Sequence, residues 1–148
     1  MVGKAQLRAL REQVGHSQQS LADALGVNVR SVKRWEHDGM PYEAPDDVWG
    51  LLSRCLKAQN QAVNHSIKVV QDLAREKPDA HICVPISYFR DQAMFDQYGR
   101  DSGYFGVANA NARATGSKLR ELGFEVRFAY PCESEPSIVA ARSATESG

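Results

Sequence analysis

Between residues 30 and 34 the chain carries two guanidinium groups and one ammonium, Arg30, Arg34 and Lys33, with no acid until Glu36. Side chains four apart fall on one side of a helix, so Arg30 and Arg34 would project together. A guanidinium is a planar fork of donors that fits the O6 and N7 acceptors of guanine, and a small apolar neighbour such as Val29 suits the methyl group of thymine. Ser31 and Lys33 are better placed to meet phosphate oxygens, which position a protein on a duplex without reading its sequence. A run of cations is often just a solvated helix face. Here no acid offsets the run, and helix signals frame it.

Those signals come from the neighbouring residues. Gln18–Leu25 reads as a short helix with Leu21, Ala22 and Leu25 on one side, opened by Ser17 as its cap. Gly26 suits the left-handed position that ends it, because it lacks a Cβ. Asn28 can cap a second helix over residues 28–36 by accepting from a backbone N–H near Ser31. Val32 and Trp35 occupy the side of that helix that matches the first. This spacing directs Trp35 to a small core rather than to stacking on bases. Two helices on a tight glycine turn make a helix-turn-helix, and a cationic second helix suits the DNA major groove.

Gln18, the Leu21-Ala22 pair, Gly26, Ser31, Val32 and the Trp35-Glu36 pair, with their spacings, resemble the Cro/phage-repressor (xenobiotic-response-element type) helix-turn-helix family. The resemblance spans residues 7 to about 39. It departs after Glu36, where His37-Asp38-Gly39 stands in place of the common Asn-Gly. It implies that Gln18 bonds a phosphate and braces the recognition helix, where the residue alone would read as a solvated glutamine. The expected base contacts are Val29, Arg30 and Arg34. The expected phosphate contacts are Gln18, Gln19, Asn28, Ser31, Lys33 and Tyr42, although Tyr42 suits simple packing equally well. Glu36 is expected to pair with a basic residue inside the domain.

Composition sets outer limits. At 148 residues the chain fits one domain or two small ones. Its 18 basic and 18 acidic residues cancel, so DNA binding would rest on local clustering and not on a diffuse polycation. The first residues lack the apolar core of a signal peptide, and no run reaches the ~20 apolar residues of a membrane span. A cytoplasmic location with no membrane partner is therefore expected. Cys55, Cys83 and Cys132 form no C-x-x-C, which supports neither a disulfide framework nor a zinc ribbon.

Around the central motif, Lys4–Val14 reads as an amphipathic helix, with Leu7, Leu10 and Val14 inward and Arg8, Arg11 and Glu12 outward. Residues 38–45 form a loop punctuated by Gly39, Pro41 and Pro45. Residues 46–77 repeat apolar positions every three or four residues, from Val48 and Leu52 to Val70 and Leu73. Unbroken, about 30 residues would span ~45 Å, more than a small head covers. Part of the stripe must meet the C-terminal segment or a second copy, and a break in the polar stretch 59–64 is possible. Residues 81–87 and 124–130 alternate as strands, and Pro85 places the first at an edge or makes it short. Residues 88–98 and 105–122 read as helices, with Met94 and its aromatic neighbours in the core.

The expected fold is therefore mainly α with a small β component. It comprises a helix-turn-helix domain with its long helix (1–77), a β-α-α-β dimerisation module (78–131) and a disordered tail (132–148). No phosphate-binding glycine loop, zinc-protease motif or nucleophile elbow occurs. His81 and Cys83 share a strand face, but two ligands fall short of the four of a structural zinc site. No enzyme activity, cofactor or metal is expected. The function expected is sequence-specific binding of double-stranded DNA by a homodimeric repressor or autoregulator on an inverted repeat. The alternatives are an antitoxin whose C-terminal module binds a toxin protein, and a ligand-sensing or enzymatic C-terminal module.

Overall fold

Glycines and caps set the first boundaries. In the computed structural model, which describes residues 3–133, α1 (Lys4–Val14) ends at Gly15 with φ 94°, and α2 (Gln18–Leu25) ends at Gly26 with φ 69°. A Cβ is costly at both angles. Ser17 opens α2 through a reciprocal cap with Ser20, each side-chain oxygen accepting from the other residue's backbone N–H at 2.9 Å. The recognition helix α3 (Val29–Glu36) starts from Asn28, whose Oδ1 accepts from the N–H of Arg30 at 2.8 Å. The cap thus engages the second helical residue, next to Ser31.

The long pattern forms one helix, α4 (Asp46–Glu76). Of the two possibilities left open by the sequence, an unbroken helix and a break at 59–64, the first is found. Gln59 is buried there, donating to the Gln13 carbonyl at 2.9 Å and accepting from the Gln13 amide at 3.0 Å. A polar residue satisfied on both sides need not interrupt a buried helix face.

Two compact units divide between Gln59 and Asn60, inside α4 and not at its end. In the N-terminal unit, Leu7, Val14, Leu21, Ala22, Val32, Val48 and Leu52 form the core, with Trp35, Trp49 and Leu56 packed against it. In the C-terminal unit, Ile67 and Val70 of α4 join Val84, Ile86, Ala112 and Leu119. The second half of the stripe is therefore covered by the C-terminal segment.

That segment runs β1 (Cys83–Ser87), α5 (Gln92–Tyr98), α6 (Phe105–Glu121) and β2 (Glu125–Ala129), followed by a 3-10 turn, Pro131–Glu133. The strands pair in parallel, with Val84 opposite Val126 and Ile86 opposite Phe128. Parallel strands need a long crossover, which the two helices supply. Pro85 lacks an N–H, and a two-stranded sheet leaves one side of each strand free of that demand.

The helix expected from Tyr88 begins only at Gln92. The Tyr88 N–H extends the ladder to the Ala129 carbonyl at 2.9 Å. Buried Asn109 then holds both backbone groups of Phe89, accepting at 2.9 Å and donating at 2.7 Å. Asp91 caps the helix by accepting from the Met94 N–H at 2.9 Å. Helix α6 approaches the sheet at Gly116, where a Cβ would lie 2.7 Å from Cζ of Phe128. Of the expected tail, Cys132 and Glu133 belong to the 3-10 turn, and residues 134–148 lie outside the described residues.

Candidate nucleic-acid interface

Helix α3 has two faces of opposite character. Val32 is fully buried, and Val29, Trp35 and Glu36 are half-buried around it. Arg30, Lys33 and Arg34 are exposed, and the 3.6-residue period places them on one stripe. The three cations therefore share a surface, with Lys33 beside the two arginines. Val29 packs against the core, so it shows only part of its side chain to solvent. Ser31 is half-buried next to the stripe.

The rotation of α3 is fixed from inside. Arg11 was expected to face outward, and instead its side chain is only 9% exposed and Glu36's only 5%. Arg11 donates Nε to Oε2 of Glu36 at 2.7 Å and Nη2 to Oε1 at 2.9 Å, and Nη1 donates to the His16 carbonyl at 2.9 Å. The fork-on-fork geometry joins α1 to the end of α3 in one orientation. Gln18 donates to the same carboxylate at 3.4 Å. Glu36 thus pairs with a basic residue inside the domain, and Gln18 braces the recognition helix.

Other expected contact residues are already engaged. Gln19 donates to Asp23 at 2.9 Å on the exposed side of α2. Asn28 uses its oxygen as the cap, which leaves its amide nitrogen to donate elsewhere. Tyr42 is 50% exposed, and the Arg34 guanidinium carbon lies 5.5 Å from its ring centroid.

Sequence reasoning missed Lys4. Its Nζ donates to the carbonyls of Arg34 at 3.2 Å, Trp35 at 3.0 Å and Tyr42. The last carbonyls of a helix lack intrahelical partners and carry partial negative charge, so an ammonium there serves as a cap. No local spacing signals a contact between residues about 30 apart in sequence.

A nearby histidine senses the same cluster. Burial lowers the pKa of His16, and the Arg11 charge lowers it further. Its Nδ1 lies 2.8 Å from the Ser20 hydroxyl.

The geometry defines a helix-turn-helix whose second helix projects cations from a braced frame. Residues 7–57 match the Helix-turn-helix family, and the N-terminal unit belongs to its Cro/phage-repressor type, a DNA-binding module of transcription regulators. No curated protein matches the chain. Among the described residues, no helix is long and apolar enough to cross a membrane, and no group of three or more His, Cys, Asp or Glu could hold a metal ion. His81, considered above as a ligand beside Cys83, bonds Glu125.

Arg11→Met leaves a buried carboxylate without its counter-charge and should destabilise the N-terminal unit by about 3–5 kcal/mol in urea titration, whereas Arg11→Met combined with Glu36→Leu should recover most of the loss. A double variant no better than the single one would show that the pair is not the cause. For His16, the folded value lies below the ordinary value of about 6.5. The ring is neutral in both states above that pH. Below it the unfolded chain takes up the proton that the folded chain resists, so stability should decline as pH falls from about 6.5 towards the folded value. His16→Gln should flatten the melting temperature over that window, and an unchanged slope would contradict the assignment.

Proposed function

We propose that this protein is a homodimeric repressor or autoregulator that reads an inverted-repeat operator, acting in the cytoplasm where that DNA lies. The observation that carries the reading is the exposed stripe of Arg30, Lys33 and Arg34 on a helix locked to α1 by a buried ion pair. In this proposal Arg30 and Arg34 present forks to guanine edges, and Val29 offers its solvent-facing methyl surface to a thymine. Lys33 and Ser31 meet phosphates on either side of the groove. Gln18 and Gln19 at the start of α2, Asn28 and the phenol of Tyr42 supply further phosphate donors, the usual means of fixing register.

A single head of this size buries about 600–1,000 Å² on DNA, little for tight specific binding. Two heads held about one helical turn apart, ~34 Å, would read both halves of a palindrome. The β-α-α-β module is the proposed source of the pairing. Its sheet has two strands among the described residues, and an isolated pair is marginal without further cover. Repression would be steric, the dimer occupying DNA that polymerase needs.

Selection of bound fragments from random DNA, followed by affinity measurements on single-base variants, tests the reading. Arg30→Ala should cost about 1–3 kcal/mol at one base pair and relax preference there. Lys33→Ala should weaken all sequences alike and reduce the salt slope by about one. Equal losses across all operator variants for both substitutions would overturn these roles. A monomer on the selected fragment, by light scattering, would overturn the dimer.

A further inference from the structure

Arg34 is held at its backbone by Lys4 and meets the ring of Tyr42 with its guanidinium. The Lys4 ammonium donates to the backbone carbonyls of Arg34 and Trp35, which close α3, and to that of Tyr42 in the following loop. Tyr42 in turn lies under the Arg34 guanidinium at 5.5 Å. One cation therefore fixes both the backbone that carries the fork and the ring on which the fork rests.

Met40, Pro41, Tyr42 and Glu43 are exposed, while Ala44 packs against the core and the Met40 N–H donates to the His37 carbonyl at 3.1 Å. The Lys4 bond to the Tyr42 carbonyl ties this exposed stretch to α1.

The stack also suits reading DNA. A ring attracts the flat face of a guanidinium, while the N–H donors lie in the guanidinium plane. Arg34 itself remains exposed beside the ring. A long side chain already confined on a ring loses less freedom when it binds than one moving freely.

We infer that Lys4 and Tyr42 are positioning residues for specificity: Tyr42 is a shelf that aims the Arg34 fork, and Lys4 holds the shelf in place. This rests on the DNA reading above and goes beyond it, because the tyrosine then acts through its ring and not only through its hydroxyl.

The full-length chain, its selected operator and single-base variants of that operator give the test, with Arg34→Ala marking the base pair that Arg34 reads. Tyr42→Phe keeps the ring and should retain wild-type discrimination at that pair. Tyr42→Leu should lower discrimination there about two- to fivefold while leaving the Arg30 pair unchanged. Lys4→Met should lower it at the same pair with the ring intact. Because Tyr42 is half-exposed, Tyr42→Leu is not expected to impair folding, and unchanged discrimination in a folded Lys4→Met protein would overturn the role of Lys4. Uniform weakening on every sequence by both Tyr42→Phe and Tyr42→Leu, or no change in discrimination for Tyr42→Leu, would overturn the inference while leaving the DNA reading intact. A wild-type protein with no sequence preference would overturn both.

Discussion

The buried fork between Arg11 and Glu36 fixes the exposed cationic stripe of α3. Helix α3 is only eight residues long, too short to hold its shape or rotation alone in water. Val32 and Trp35 give it an apolar seat, but apolar contact is non-directional. Two parallel hydrogen bonds to a planar carboxylate are directional, and they set which residues face out. A buried ion pair adds little net stability, because desolvation offsets most of the attraction. Its contribution is one orientation in preference to several. It has an electrostatic consequence too. Glu36 is the one acid of α3, and turning it inward onto Arg11 keeps negative charge off the stripe formed by Arg30, Lys33 and Arg34.

The three N-terminal helices were legible because their signals are local. Gly26 takes the left-handed angle that its position suggested, and Ser17 and Asn28 cap as their types allow. The interior partner of Glu36 was legible as a kind of residue but not as Arg11, which helical periodicity turned outward. Periodicity treats an arginine as polar and cannot register that a carboxylate 25 residues away satisfies it. Gln59 misled for the same reason. Its polarity suggested a break in α4, whereas Gln13 supplies both of its hydrogen bonds. Lys4 gave no signal at all, since its three acceptors are backbone carbonyls and any sequence offers those.

The C-terminal unit shows how far alternation alone reaches. Both strands were readable from their apolar positions, yet the start of α5 was misplaced by four residues. The ladder bond of Tyr88 and the clasp of Asn109 on Phe89 keep the chain extended there. These are tertiary contacts, and they outweigh the local helical preference. Gly116 is similar: within an alanine-rich helix it looks like a weak position, but a Cβ there would have to displace the ring of Phe128.

In the proposed reading, the helix locked by Arg11 and Glu36 meets DNA with its Arg30 face. The most direct measurement is an NMR titration of the isotope-labelled full chain with its selected operator. It should perturb the amides and side chains of Arg30, Lys33 and Arg34 and the first turn of α2, while the Arg11 side-chain signals keep their free-protein positions. Perturbations centred on α5, α6 and the strands with α3 unmoved, or loss of the Arg11 signals on binding, would contradict it.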